Sequence, residues 1–188
     1  MDKPTLQGEM LVLRPLVAGD ADGVWEIVSD PESRRMAGTT RDWARADVDR
    51  WLRTVRASDE RIDLAVTANG SDEYLGEIVL EGIDPVVRSA GLRLTMRPAY
   101  RGRGYGTEAI LLVLGMAFDG LGLHRVGAVV PAINARGKSL YENLGFRVEG
   151  RLRDSFRDGK GWTDGLVMGL LEDEYRASQL PASTPERA

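Results

Sequence analysis

With 188 residues the chain has room for one domain with a substantial core, and its 25 basic against 29 acidic side chains leave a net charge of -4. That balance gives no electrostatic footprint for nucleic acid and makes an amine or another cation the easier partner. With no cysteine and one histidine, disulfides, thiolate nucleophiles, sulfur-bound zinc and multi-histidine centres are excluded, so no metal is expected.

Gly8 to Leu16 carries Leu11, Val12 and Leu13 ahead of Arg14-Pro15 and predicts a first strand. Asp20 is an N-cap candidate for a helix through Val24, Trp25, Ile27 and Val28. Val48, Trp51, Leu52 and Val55 fall at i, i+3, i+4 and i+7, an apolar stripe that is either core or the wall of a site. Strands are expected at Ile62 to Ala68, Tyr74 to Glu81 and Val86 to Arg97, with turns at Asn69-Gly70-Ser71 and near Asp84-Pro85, as an antiparallel meander. Ala109 to Phe118 predicts a helix buried on most sides and ended by Gly120 and Gly122. Arg125 to Val130 is the next strand, and His124 at its start suits a partly exposed structural role.

A helix over Asn134 to Asn143, closed by Gly145, precedes strands at Phe146 to Arg151 and Asp164 to Leu171. From Ser178 the chain holds two prolines and little to bury, so the expectation is one domain over 1–175 and a disordered tail over 176–188. A mostly antiparallel first half followed by alternating strands and helices indicates an α+β fold, a three-layer α/β sandwich rather than a doubly wound sheet. No run approaches the ~20 apolar residues of a membrane span and Met1-Asp2-Lys3-Pro4 opens no secretory signal, so a cytoplasmic protein without a membrane partner is expected.

The most informative segment is Arg101-Gly102-Arg103-Gly104-Tyr105-Gly106-Thr107, between a strand-like and a helix-like run. Glycines here permit positive φ and let main-chain N–H groups approach an anion, while the following helix offers its positive end. A pyrophosphate-bearing cofactor is the implied partner. A dinucleotide fingerprint does not fit, because counting from Gly102 its third glycine falls on Thr107. Farther on, Asn134, Lys138 and Tyr141 lie within one ~60° helical sector, with Leu140 and Leu144 turned elsewhere to anchor the helix. Taken alone, Asn134 is equally an N-cap and Tyr141 an amphipathic surface residue.

Arg101-Gly102-Arg103-Gly104-Tyr105-Gly106 resembles the (Gln/Arg)-x-x-Gly-x-(Gly/Ala) acyl-CoA signature of the GNAT superfamily of N-acetyltransferases, and Asn134 to Phe146 is similar to its N-x-x-A-x-x-L-Y-x-x-x-G-F helix. Leu92 to Pro98, and Trp162-Thr163-Asp164 followed by Leu166 to Leu171, are similar to the branch containing the ribosomal-protein N-terminal (alanine/serine) acetyltransferases. The resemblance covers roughly residues 8 to 175. It implies a mixed, mostly antiparallel sheet flanked by helices, with two central strands splayed to admit acetyl-CoA. It further implies that Thr95 and Met96 offer main-chain groups to the pantetheine arm and thioester oxygen, and that Arg101, Gly102, Arg103, Gly104, Tyr105, Gly106 and Thr107 hold the pyrophosphate. Asn134 would contact the pantetheine, Tyr141 would protonate the departing thiolate, and a homodimer is plausible by analogy.

The implied reaction is direct transfer of an acetyl group to a primary amine in a ternary complex, with main-chain donors stabilising the oxyanion. A lysine-like amine of pKa ~10.4 is neutral in only a few molecules per ten thousand at pH 7, so a base matters. Gly91 and Gly127 stand where many members carry a carboxylate. Glu77, alternating onto one side with Leu75 and Val79, is the substitute candidate, and a solvent-facing strand glutamate is the bland alternative. Two rival readings stay open. A non-catalytic acyl-CoA sensor of the same fold would explain the missing carboxylates, and Gly137-Lys138-Ser139 ends like a P-loop but has Ala132 where the opening glycine belongs. The acceptor itself is open between a protein N-terminus, a polyamine and a small-molecule amine, and Trp43, Trp51 and Trp162 suit either the core or a wall around it.

Overall fold

In the computed structural model, which describes residues 3–58 and 60–179, eight strands form one open sheet. They are β1 (Leu6–Gln7), β2 (Leu11–Pro15), β3 (Arg61–Ala68), β4 (Tyr74–Asp84), β5 (Ser89–Met96), β6 (Arg125–Pro131), β7 (Arg147–Asp158) and β8 (Gly161–Leu171), in the order β1-β2-β3-β4-β5-β6-β8-β7. Every neighbouring pair is antiparallel except β5 and β6, which run parallel. The expected meander is β3-β4-β5, in register through Ala65, Glu77 and Thr95. Its last strand starts later than the sequence suggests, because the Asp84 carboxylate accepts the amides of Val86 and Val87 and holds both in an exposed turn.

Helices cover both faces, and the alternation of side chains along the strands feeds two separate cores. Leu64, Val66, Ile78, Leu80 and Leu92 pack against Ile110, Val113, Leu114 and Phe118 of the helix after the glycine turn. On the opposite face Ala65 and Tyr74 meet Leu16, Val24, Ile27, Val48 and Leu52. Each such buried aliphatic side chain contributes about 1.5–3 kcal/mol, so the sheet is fixed from both sides.

Three helices form the second layer: α1 (Ala21–Ser29), α2 (Pro31–Ala37) and α3 (Arg45–Thr54). Asp20 precedes α1, but its carboxylate does not cap that helix. It accepts the Val17 amide at 2.8 Å and both terminal nitrogens of Arg14 at 2.8 and 2.9 Å, a nearly buried ion pair that fixes the chain's exit from β2. On α3, Val48, Leu52 and Val55 are core, whereas Trp51 is half-buried and turned to a cavity. Both readings of that stripe hold, at different positions.

Helix α2 is absent from the sequence-based expectation. Its signals are local: Asp30 accepts the Ser33 amide at 2.8 Å as N-cap, Pro31 stands in the first turn, and Gly38 at φ +68° closes it. The stretch Pro-Glu-Ser-Arg-Arg-Met-Ala has no apolar stripe, which is why periodicity passes over it.

The first layer holds α4 (Tyr105–Gly115), α5 (Ala135–Asn143) and α6 (Glu172–Gln179). Helix α4 begins four residues earlier than expected, and it is one-sided rather than enclosed: Ala109, Ile110, Val113 and Leu114 are buried while Leu111 is exposed. Met116–Gly120 widens into a π turn. Strand β7 outruns its expected end because its outer half is solvated on both sides and carries no alternation to detect. Helix α6 holds Arg176 to Gln179, so the tail expected from 176 is helical there, with Tyr175 stacked on Phe118 at 4.8 Å. The remainder of that tail, 180–188, lies outside the described residues. No helix among the described residues is long and apolar enough to cross a membrane.

The feature that positions the site is short. Strands β5 and β6 pair only through Ser89–Arg125, Ala90–Val126 and Gly91–Gly127. Beyond those glycines β5 stays with β4 as far as Met96 and β6 stays with β8 as far as Pro131, so the sheet forks.

Candidate active site

Along β5 the main-chain groups alternate between the two edges. Arg97 N–H donates to Leu75 O on the β4 side at 2.9 Å, whereas Leu92 O accepts the Tyr141 hydroxyl from the open side at 3.4 Å. By that alternation Leu92, Leu94 and Met96 aim their amides and carbonyls into the fork. Of the two residues expected to offer main-chain groups, Met96 does so. Thr95 does not: its main chain pairs toward β4, although the residue borders cavities on both sides of the strand. Leu94 is the fork-facing residue that sequence reasoning missed, one step away in the same strand.

Loop residues 101–104 lead from β5 into α4. Gly102 and Gly104 hold φ of +73° and +85°, a region that favours glycine, and Gly104 as N-cap brings no side-chain acceptor for the first amides of α4. Gly106 gives the helix a close start against β5: a Cβ there would lie 2.9 Å from the Leu94 Cδ2, and that side chain would have to give way. Gly102, Arg103, Gly104 and Thr107 are exposed and Tyr105 and Gly106 half-buried, so the turn at this helix N-terminus stays accessible to an anion. These features fit a pyrophosphate.

The two arginines of the loop part company. Arg101 folds inward, donating from Nε to Met96 O at 3.1 Å and from Nη2 to Ser33 Oγ, 3.9 Å from the Asp30 carboxylate. It fastens α2 to the end of β5, which departs from the expected phosphate role of its guanidinium. Arg103 is exposed, its guanidinium 5.7 Å from the Tyr100 ring, and remains available to an anion.

On α5, Asn134 is the N-cap: Oδ1 accepts Gly137 N–H at 2.8 Å while Nδ2 donates to Met36 O at 3.0 Å. Both ends of the amide are engaged, so the side chain braces the fork against α2 rather than standing free for a pantetheine contact. Lys138, in the same sector, pairs with Glu142 at 2.6 Å and stays out of the fork. Tyr141 is buried, edge-on to Phe146 at 5.1 Å, with its hydroxyl at the β5 main chain. Burial pushes its phenol well above the ordinary value, against weaker downward pulls from Arg93 and the Leu94 main chain. The hydroxyl therefore keeps its proton at physiological pH. Leu140 and Leu144 pack on the core as expected.

The fork encloses cavities of about 340 and 320 Å³, both bordered by Leu94, Asn134, Gly137 and Leu140. Across β5, on the α1–α3 side, a third cavity of about 280 Å³ adjoins them at Arg93, Thr95 and Ser33. Glu77 lines it. The side chain is 12% exposed, 3.9 Å from Arg93, and not the solvent-facing glutamate of the bland alternative. Burial above all raises its carboxyl to about 7, with Arg93 and Arg61 pulling down and Asp63 and Glu81 pushing up. Trp43 and Trp51 stand edge to face at 6.1 Å on the same wall, while Trp162 is exposed under Arg157 and belongs to neither core nor cavity. Gly91 and Gly127 lie side by side where the fork opens, and a Cβ at either would find ordinary contact distances, so their bareness is not imposed by packing.

This geometry is shared with known proteins. Residues 10–147, well over half of the chain, match the Acetyltransferase (GNAT) domain family. The Uncharacterized N-acetyltransferase p20 of Bacillus licheniformis is 28% identical over 175 residues, spanning 91% of this chain and 98% of its own. Spermidine N(1)-acetyltransferase of Escherichia coli (strain K12) is 30% identical over 105 residues, 56% of each chain. The solved spermidine N-acetyltransferase from Vibrio cholerae in complex with CoA and spermine has the same fold, with a TM-score of 0.81 at 22% identity over 90% of this chain and 99% of that one. The match is to the superfamily domain and does not single out the ribosomal-protein branch. The chain therefore belongs to the GNAT family of N-acetyltransferases, enzymes whose co-substrate is acetyl-CoA.

Proposed function

We propose that this protein transfers the acetyl group of acetyl-CoA directly to a primary amine bound in the cavity beside Glu77. The observation that carries the proposal is the arrangement about one strand. The open edge of β5 turns main-chain groups to the fork, where the Tyr141 hydroxyl of α5 meets them, and on the other side Glu77 of the paired strand β4 presents a desolvated carboxyl to the adjoining cavity.

Acetyl-CoA supplies the acyl group and a thiolate leaving group. The amides of residues 102–107 and the exposed Arg103 hold the pyrophosphate, and the Leu94 and Met96 main chain orders the pantetheine arm in the fork. Glu77, with a pKa of about 7, accepts a proton from the ammonium and leaves a neutral amine to attack the carbonyl. As the C–S bond breaks, the Tyr141 hydroxyl gives its proton to sulfur. As the amide forms, its nitrogen gives up a second proton, which restores the Tyr141 phenol through solvent, and Glu77 returns the proton it took to bulk water. The partial likeness to spermidine acetyltransferases supports an amine acceptor without specifying its size or charge.

Initial rates with both substrates varied test the direct route. Intersecting lines are expected, and parallel lines with an isolable acetyl-enzyme would overturn it. A sensor of the same fold would release no thiol above the blank with any amine.

A further inference from the structure

The cavity beside Glu77 has a charge that its setting does not predict. The whole chain is acidic, at -4, yet four arginines line this one cavity, Arg34, Arg41, Arg61 and Arg93, against a single carboxylate, Glu77. Two of the four are neutralised in place. Arg61 forks onto Asp63 with contacts of 2.6 to 3.1 Å, and Arg34 pairs with Asp42. The other two are held less closely. Arg93 comes no closer than 3.9 Å to Glu77 and 4.0 Å to Glu81 and makes no side-chain hydrogen bond among the described residues. Arg41 lies flat over Trp43 at 3.9 Å from the ring centroid and has no ion pair among the described residues. Stacking on an indole leaves the edge of a guanidinium free, and that edge carries the paired donors that suit a carboxylate or phosphate.

Accepting the acetyl transfer proposed above, on which this step rests, we infer that the acceptor is a small anionic amine: a primary amine joined through an apolar or aromatic body to a carboxylate or phosphate. The amine meets Glu77, the body lies against Trp43 and Trp51, and the anion is taken by Arg93 and Arg41. A polycation such as spermidine meets the opposite field. Glu77 is the one carboxylate in the lining to attract it, while the loosely held guanidinium groups of Arg93 and Arg41 would repel its second and third charges within a cavity of about 280 Å³.

The test compares amines that differ only in the anion: benzylamine, 4-(aminomethyl)benzoate, its phosphonate counterpart, and spermidine, each with acetyl-CoA and thiol release as readout. A kcat/KM at least about tenfold higher for the benzoate or phosphonate than for benzylamine is expected, shrinking as salt rises. That ratio should fall toward one in Arg93→Gln and in Arg41→Gln, the latter a surface change that spares folding. The benzoate and phosphonate arms separate a carboxylate from a phosphate acceptor. Equal rates for the charged and neutral amines, or a preference for spermidine, would overturn the anionic acceptor while leaving acetyl transfer intact. If no amine released thiol, the transfer reading would fail instead. Calorimetric titration of the protein with 4-(aminomethyl)benzoate and with benzylamine then decides the cavity on its own: tighter binding of the benzoate, lost in Arg41→Gln, supports the anion site, and equal binding defeats it.

Discussion

The fork between β5 and β6 and the cavity beneath α1–α3 meet across one strand, yet they are made of different materials. The fork is bordered by the β5 main chain at Leu94 and Met96, opens beyond Gly91 and Gly127, and is braced by Arg101, Asn134 and α2. The cavity is lined by side chains, with Arg41, Trp43, Trp51, Glu77 and Arg93 from four separate segments. A site built from peptide groups demands a few residues that leave the backbone free and tolerates change elsewhere. A site built from side chains can be rewritten one residue at a time. The first suits a co-substrate common to a superfamily, and the second suits an acceptor that differs between members.

The sharpest way to break this division is at Tyr141, the one side chain placed in the fork to take part in the chemistry. Tyr141→Phe removes a buried hydroxyl whose hydrogen bond is long, so stability should hardly change. Turnover should fall by about 100-fold or more while acetyl-CoA affinity stays within about twofold, measured by steady-state kinetics beside calorimetry. Unchanged turnover would remove the fork from the proton transfers.

Glu77 tests the other region. For wild type, kcat/KM should rise with pH through about 7 as the carboxyl ionises. Glu77→Gln should lose roughly 10- to 100-fold at neutral pH and lose that inflection. The stability effect runs the opposite way. Because the folded pKa is raised from 4.5 to about 7, the stabilisation is complete below the lower value and is lost as pH rises through the upper one. At pH 8 the glutamine variant should therefore be the more stable protein, by up to about 3 kcal/mol, in denaturant titrations.

Smaller effects separate the two arginines of the loop. Arg101→Met should cost ~1–3 kcal/mol of stability by releasing Met96 O and Ser33, together with the set of α2 that walls both regions. Asn134→Ala should cost ~1–2 kcal/mol for the lost cap and the lost tie to Met36. Arg103→Ala should leave stability within about 0.5 kcal/mol and weaken acetyl-CoA binding only a few-fold, most visibly at low salt. Equal behaviour of the Arg101 and Arg103 variants would erase the distinction between brace and ligand.

The same contrast explains which parts of the site were legible beforehand. The glycine turn and the α5 helix that carries Tyr141 stand in contiguous runs whose spacing carries the local geometry, so both elements were legible. Thr95 was chosen where Leu94 belongs because strand alternation is fixed by pairing, and a one-residue shift exchanges the two edges. Asn134 and Arg101 were given to the ligand because nothing in their own neighbourhoods announces Met36 and Ser33, which arrive from a helix with no apolar stripe. Glu77 was placed on the right strand, but its burial comes from α1–α3 folding over that face.

Taken alone, the amino-acid order determined what depends on neighbours along the chain: the meander, the helices at Val48 and Asn134, the glycine loop before α4, and through these the superfamily. Tertiary structure alone decided what depends on residues far apart: the fork beyond Gly91 and Gly127, the inward turn of Arg101, and a cavity joining Arg41 to Arg93 beside a carboxyl that burial holds near neutrality. Hydrogen bonds between adjacent peptides are set by local sequence, whereas desolvation and charge in a cavity depend on every element packed around it.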